Sequence, residues 1–228
     1  MSTLDDVRTQ LEEDLAWRAD EIRHLRNALL GELRTVDWPA HALRAILVLQ
    51  YAHLEGFARN AFAIYLKTVN DLRLNATELH QNLFATALTR EFDAIRRGLR
   101  DDAESEDGRL MRRARSQVDF VEKLRRLNHE PLVLDVDSSV SMEMNFGADV
   151  FRRTLYRLGI PETQVHKTYY TSLEFIRRMR NDVAHGMRKE RIEPGEFEAH
   201  QRKGEEFMSE LTRLVTTAVN SEMYRVSA

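Results

Sequence analysis

The sequence from residue 40 to residue 69 reads AHALRAILVLQYAHLEGFARNAFAIYLKTV. Its apolar side chains occupy almost every direction around a helix: Leu43, Ile46, Leu47, Val48, Leu49, Leu54, Phe57, Phe62, Ile64 and Leu66. A helix that is apolar on all sides is stable only when other elements surround it. This stretch therefore predicts a central, buried helix around which the rest of the chain packs.

Helical periodicity predicts further helices on both sides of this one. They cover residues 3–33, 76–100, 109–127 and 147–158, then a run from near Glu162 to His185, and a last helix from Phe197. We expect Ser2 or Thr3 to cap the first helix and Asn75 or Thr77 to cap the helix at 76–100. Residues 129–146 lack a helical period and favour extended chain or a hairpin around Asp137. The expected fold class is all-α, a helical bundle in a single domain (1–228), with one irregular or hairpin-like insertion around 129–146.

Composition excludes several classes of protein. The 228 residues include no cysteine, which excludes a disulfide framework and a thiolate metal site and suits a reducing cytoplasm, where we expect the protein to act. The N-terminus has no basic-then-apolar signal pattern, and no apolar run has the ~18 residues that a membrane span requires. The formal net charge of −3 argues against bulk electrostatic capture of nucleic acid.

The charge is unevenly distributed along the chain. Residues 152–191 contain ten Arg and Lys against four Asp and Glu, whereas residues 1–32 contain four against eight. A basic zone of this kind is what a phosphate-binding cleft needs. An ordinary solvated helix face explains it equally well, and the same two interpretations apply to the basic helix predicted at 109–127.

The most informative motif is RNDVAHG, at residues 180–186, where the predicted helix from Glu162 ends. Arg180 lies on the apolar stripe of that helix, a costly position for a guanidinium unless it is paired or lines a cavity. Asn181 and His185 stand four residues apart and share the neighbouring face. Gly186 is suited to the left-handed conformation that ends a helix.

This stretch resembles the R-x4-6-H motif of the HEPN family. The bare spacing also occurs at Arg18, Arg34, Arg73 and Arg178, each followed by a histidine at a permitted distance, so the surrounding residues select Arg180. Residues 51–57 (YAHLEGF) resemble the Y-x-x-(W/L)-E-G-F helix of a stand-alone bacterial branch that includes the RiboL-PSP and MAE-like HEPN groups. Residues 145–160 resemble that branch's N-(L/F)…V…L-G-(I/L) segment.

The resemblance implies a bundle of the HEPN type and a metal-independent endoribonuclease that needs no cofactor. In such a reaction the 2′-hydroxyl of RNA attacks the adjacent phosphate. Histidine as a residue type titrates near physiological pH, so His185 suits the proton transfers, while Arg180 suits stabilisation of the phosphorane. Asn181 would orient the imidazole or donate to phosphate. We further expect these four basic residues to contact RNA: Arg177, Arg178, Arg188 and Lys189.

Glu55 has two interpretations. It stands four residues before Arg59, so the two can form an ion pair on the least buried face of the central helix. Alternatively, Glu55 reaches the motif and holds Arg180 in place, which would satisfy both charges. The neighbouring Gly56 would let another helix approach closely.

The spacing of Arg180 and His185 sets a geometric condition. Residues five apart lie about 140° from each other around an ideal helix, so the two side chains do not converge. Either the helix ends by Ala184 and turns His185 back, or one cleft takes side chains from two chains. HEPN-like domains typically pair in this way, so the resemblance implies a homodimer with RNA across the interface.

The sequence leaves three functions open. One is a ribonuclease that acts as the toxin or effector of a toxin–antitoxin or anti-phage system, with a cognate antitoxin or partner protein. The second is a non-catalytic helical module that binds RNA or a protein partner. The third is a regulatory subunit for a nucleotidyltransferase-type partner.

Overall fold

Helix α2 (Ala40–Asp71) lies at the centre of the computed structural model of the protein, as its sequence predicts. It packs against α1 (Leu4–Leu30), α8 (Lys167–Ala184) and α9 (Pro194–Asn220). Seventeen of its 32 residues are buried. Its exposed residues follow one another at intervals of four, seven or eight, so a single narrow strip of the helix faces solvent: His41, Ala45, Ala52, Arg59, Lys67 and Asp71.

The structure describes residues 3–97, 106–140, 145–187 and 190–226. Besides the four helices just named, these ranges contain α3 (Gln81–Ala87), α4 (Thr89–Arg97), α5 (Glu106–Leu127), α6 (Val136–Ser139) and α7 (Ala148–Arg157). Short 3-10 turns precede α2 (Thr35–Asp37) and α8 (Glu162–Gln164). The described ranges contain no strand, only one isolated antiparallel bridge between Leu79 and Arg225. The predicted all-α class is confirmed.

Gly204 of α9 lies against the Gln50 side chain of α2. A Cβ atom at this position would lie only 2.3 Å from Nε2 of Gln50, a residue that is 1% exposed. The same Nε2 donates a hydrogen bond of 2.7 Å to the carbonyl oxygen of Gln201, in the preceding turn of α9. The missing side chain thus lets a buried amide of one helix bond the backbone of the other, which fixes how the two helices cross.

The helix predicted at 76–100 is wrong in two respects. Residues 76–80 are not helical, because their backbone bonds the C-terminal segment: His80 N–H donates to Tyr224 O at 2.7 Å, and Val226 N–H donates to Glu78 O at 3.0 Å. The remainder is divided at Leu88 into α3 and α4, and residues 98–100 lie outside the described ranges. The cap of α3 is the ring of His80 rather than Asn75 or Thr77.

The hairpin interpretation of residues 129–146 is wrong in the part that the structure describes. Val136–Ser139 form one helical turn, capped by Asp135. The Asn70 side chain accepts from Leu134 N–H at 2.8 Å and donates to Leu134 O at 3.0 Å, and so replaces the strand partner that this backbone would otherwise need. Residues 141–144 lie outside the described ranges.

The charged residues of α2 also differ from one interpretation of the sequence. Within this helix, all of which the structure describes, no ion pair within 4.0 Å joins Glu55 to Arg59, whose side chain is exposed. Gly56 does receive a close neighbour, but this is the Arg18 guanidinium of α1 rather than the backbone of a helix.

Candidate functional site

The motif helix α8 begins at Lys167, after a 3-10 turn, rather than near Glu162, and ends at Ala184, with Gly186 as the stop signal that the sequence predicts. Gly186 has φ +68, its N–H donates to Val183 O, and Met187 N–H donates to Asp182 O at 2.9 Å. These are the two hydrogen bonds of a Schellman motif, which only a residue that tolerates the left-handed region completes without strain. His185 is therefore the C-terminal cap of the helix, and its side chain is exposed.

Arg180 is half-buried and lies against an aromatic ring. Its guanidinium carbon is 4.5 Å from the centre of the Tyr51 ring on α2, and its Nη1 donates to Oδ1 of Asn181 at 3.0 Å. Among the described residues, no carboxylate lies within 4.0 Å of the guanidinium. A cation held by a ring face and an amide keeps its charge uncompensated, and its remaining N–H groups can bind an anion.

The structure does not contain the direct pairing of Glu55 with Arg180 that one interpretation of the sequence expects. Tyr51 contacts Arg180 through its ring face, while the Glu55 carboxylate acts on the Tyr51 hydroxyl. Burial, followed by the negative charge of Glu55, raises the pKa of Tyr51 to about 12. The hydroxyl is buried without a well-aligned hydrogen bond, although Glu55 is close to it. Any support that Glu55 gives to Arg180 therefore passes through Tyr51.

Asn145 joins two of the predicted site residues. Its Oδ1 accepts from Nδ2 of Asn181 at 3.4 Å and from Nη1 of Arg177 at 3.3 Å. Arg177 also forms an ion pair with Glu174, and its hydrogen bond holds the pKa of that carboxyl below the usual range. The segment before α7 is thereby bound to the end of α8, and the amide of Asn181 is oriented from both sides.

The four predicted RNA-binding residues have different surroundings. Arg177 donates hydrogen bonds to Glu174 and to Asn145. Arg178 is exposed and, among the described residues, forms no ion pair within 4.0 Å. Arg188 and Lys189 lie outside the described ranges.

The structure does not pair Arg180 with His185 within one chain. Both lie in the described range 145–187, and no hydrogen bond connects their side chains. The N–H of His185 still donates to Asn181 O at 2.9 Å, so the backbone follows the helical path up to this residue. The helix does end at Ala184, as one alternative expects, but His185 does not turn back, and the angle of about 140° between the two positions is retained.

A family model described as HEPN_MAE_28990-like HEPN matches residues 7–224 of the sequence. This match covers nearly all of the helices that surround α2 and includes every candidate site residue. The chain belongs to the MAE-like HEPN family. Comparisons with curated proteins and with solved structures gave no match.

Two residues of this HEPN site, Tyr51 and Asn145, were not among the site residues predicted from the sequence. Both stand in the segments that carry the resemblance, at 51–57 and 145–160. Their position in those segments was the available signal. The spacing of a tyrosine or an asparagine in the sequence does not predict that it will contact an arginine on another helix.

The described part of the HEPN domain has neither a metal-binding cluster nor a membrane-spanning helix. Within the described ranges, no group of three or more His, Cys, Asp or Glu side chains is arranged to hold a metal ion. In the same part of the chain, no helix combines the length and apolar character needed to cross a bilayer.

Proposed function

We propose that this HEPN domain is a metal-independent endoribonuclease that acts in the cytoplasm as a homodimer. The observation that carries the proposal is the state of Arg180: in the described part of the chain, a half-buried guanidinium without a carboxylate partner, at the end of the helix that exposes His185. A cation held in place but uncompensated is suited to stabilise a phosphorane, because it need not reorganise when negative charge develops.

The proposed reaction is intramolecular transesterification of RNA. The 2′-oxygen forms a bond to phosphorus while the bond between phosphorus and the 5′-oxygen breaks. One proton leaves the 2′-hydroxyl for an imidazole of His185, and one proton is delivered from an imidazole to the departing 5′-oxygen. Arg180 binds the non-bridging oxygens, and Asn181 orients the imidazole or donates to phosphate. The products are a 2′,3′-cyclic phosphate and a 5′-hydroxyl.

The helical positions of the two residues support the homodimer. Arg180 and His185 stand about 140° apart around one helix, so a cleft that combines Arg180 of one chain with His185 of another would bring both to a common phosphate. A twofold dimer supplies two such clefts from one interface.

The test is incubation of purified protein with total RNA in EDTA. We expect cleavage that yields 2′,3′-cyclic phosphate ends and that is lost in both Arg180→Ala and His185→Ala. The matched controls are Arg23→Ala and His24→Ala, which change exposed residues of α1 and should leave cleavage unchanged. Full activity in His185→Ala would refute the proposal.

A second candidate is a non-catalytic HEPN module that binds RNA or a protein partner. The separation of the Arg180 and His185 side chains within one chain favours it. It predicts no cleavage, but RNA binding that weakens with salt as phosphate contacts are screened.

The ribonuclease has a cellular consequence if it is the toxin or effector of a toxin–antitoxin or anti-phage system. Its expression should then be toxic, and His185→Ala should relieve the toxicity. A cognate antitoxin or other partner protein would suppress the activity of the wild-type chain.

A further inference from the structure

A cleft of about 480 Å³ opens between α7, the motif helix α8, and α9. Its volume lies within the range of small-molecule sites. The residues that line it are Ala148, Arg152, Tyr170, Thr171, Glu174, Phe175, Arg178 and His200, so the cleft contains one carboxylate beside two guanidinium groups. None of them belongs to the Arg180–His185 motif.

The walls of the cleft are aromatic. The His200 ring lies parallel to the Phe175 ring, with centroids 3.7 Å apart and planes inclined by 11°. The Arg152 guanidinium lies over the Tyr170 ring at 4.3 Å. Burial lowers the pKa of His200, so its imidazole is neutral at physiological pH and presents a flat, uncharged ring. Such walls suit a planar, aromatic ligand.

Two buried polar atoms at the cleft lack a well-aligned hydrogen bond. They are the hydroxyl of Tyr170, a residue that is only 5% exposed and whose hydroxyl lies near Glu162 and Arg152, and Nδ1 of His200. Buried polar groups are almost always paired, because leaving one unpaired costs about 1–3 kcal/mol. Both atoms are sealed from solvent, so a ligand that carries donors and acceptors around a flat ring would bond them once the side chains over them move aside.

The cleft also has a cation on the side of the proposed catalytic histidine. This is Arg178, which is exposed and, in the described part of the chain, has no carboxylate within 4.0 Å. Arg178 and His185 are seven residues apart, which is within about 20° of two full helical turns and about 10 Å along the axis. The two side chains therefore leave α8 on the same side, and a strand that contacts one can extend to the other.

We propose that this cleft is a nucleotide subsite, in which Tyr170 and His200 bind a nucleobase and Arg178 contacts the attached phosphate. The subsite rests on the proposed function, because it would hold a nucleotide of the RNA next to the one that is cleaved. It deepens that function by naming the residues that select the base.

The test is an NMR titration of the full chain with the four nucleoside 5′-monophosphates, with ribose 5-phosphate and inorganic phosphate as separate arms. We expect at least one nucleotide to shift the His200 imidazole signals and to bind more tightly than ribose 5-phosphate. Tyr170→Phe should weaken that nucleotide by about fivefold to tenfold, the value of one buried hydrogen bond, while the matched control Tyr156→Phe, on an exposed tyrosine, has no effect. Arg178→Ala should weaken all phosphate-bearing arms.

A second variant protects the test against local unfolding. Thr171→Trp fills the cleft from an exposed position and should abolish nucleotide binding while the far-UV circular dichroism is retained. Equal binding of ribose 5-phosphate and nucleotides, or nucleotide binding that survives Thr171→Trp, would overturn the subsite.

The subsite and the ribonuclease fail in different ways. His185→Ala should abolish cleavage and leave nucleotide binding intact. Nucleotide binding at the cleft of a wild-type protein that never cuts RNA would leave the subsite standing and remove the ribonuclease. Cleavage by a protein whose His200 signals do not respond to any nucleotide would leave the ribonuclease standing and remove the subsite.

Discussion

The guanidinium carbon of Arg180 lies 4.5 Å from the centre of the Tyr51 ring, across the interface of the motif helix and the central helix. A contact of this kind contributes about 0.5–2 kcal/mol and fixes the direction of the arginine. The buried core therefore positions the charge on which the proposed chemistry depends. Changes to this contact, and to the elements that hold it, should have separable effects on stability and on cleavage.

Removing the Tyr51 ring should unfold part of the core and release Arg180. Tyr51 is 3% exposed, so Tyr51→Ala should lower the free energy of unfolding by about 3–5 kcal/mol. Tyr51→Phe keeps the ring face and removes a hydroxyl without a well-aligned hydrogen bond, so its stability and any RNA cleavage should stay near wild type. Urea denaturation followed by circular dichroism measures the stability of both variants, with the exposed Tyr156→Ala as the control.

Stability should fall on the alkaline side. The pKa of Tyr51 and that of Tyr170 are each raised from 10.0 to about 12, mainly by burial. The folded state therefore favours the protonated phenols, and their contribution is complete below pH 10 and is lost as the pH rises through about 12. The urea midpoint measured across this interval should fall less steeply in Tyr51→Phe than in wild type; an unchanged slope would show that the Tyr51 phenol is not responsible.

The helix stop at Gly186 should depend on its left-handed backbone alone. A Cβ atom there would meet nothing within 4 Å, yet φ is +68. Gly186→Ala should therefore lower the free energy of unfolding by about 1–2 kcal/mol, and Gly186→Asn by less. Gly195→Ala is the matched control, since Gly195 is equally open but lies in the first turn of α9 with ordinary φ. The free energy of unfolding of this control should rise by about 0.4–1 kcal/mol in the same denaturation assay.

The crossing of α9 over α2 should not tolerate a methyl group. In Gly204→Ala the new carbon would lie 2.3 Å from Nε2 of Gln50, so this buried amide must move and give up its hydrogen bond to the Gln201 carbonyl oxygen. Overpacking and the loss of the Gln50–Gln201 hydrogen bond together should cost about 2–5 kcal/mol. The double variant Gln50→Ala with Gly204→Ala should recover part of this loss if the clash is its cause, and a double-mutant cycle measures the recovery.

Mixing two inactive chains should restore cleavage if the cleft is shared. When Arg180→Ala and His185→Ala chains are co-refolded, half of the dimers are mixed and each has one intact pair, so activity should reach roughly one quarter of wild type. Replacing the first chain by the double variant should give no recovery. Light scattering that shows only monomers at micromolar concentration, or cleavage by wild type with no recovery on mixing, would exclude the shared cleft.

The ends of the helices could be predicted where the stop signal is local. Gly159 with Pro161 ends α7 and Gly186 ends α8, because glycine permits the left-handed backbone that stops a helix and proline cannot continue one, whatever surrounds them. The last helix was predicted from Phe197, whereas in the structure α9 begins at Pro194, a residue suited to the first turn of a helix. The break at Leu88 and the non-helical residues 76–80 could not be predicted in this way. There the backbone of His80 bonds Tyr224, a partner from the other end of the chain.

The partner of Arg180 shows the same limit within the candidate site. Glu55 carries the opposite charge and stands in the segment that resembles the family, so an ion pair was one of the two interpretations that the sequence left open. The structure instead presents the Tyr51 ring to the guanidinium, four residues earlier on the same helix. Tyr51 and Glu55 are about one turn apart on α2, so the way this helix is set against α8 decides which of the two side chains faces Arg180. That placement is set by the packing of α1, α8 and α9 around α2.

The sequence by itself determined that the chain is all-helical, that residues 40–69 form its centre, and that Arg180, Asn181 and His185 gather at the end of one helix. Periodicity, apolar content and glycine or proline at the ends are properties of neighbouring residues, and these suffice. Only the tertiary structure decided that Tyr51 and Asn145 hold the motif, that Glu55 does not contact Arg180, and that a cleft lies beside Arg178. Such contacts join residues far apart in the chain, and burial of the apolar faces, rather than local sequence, selects which of them meet.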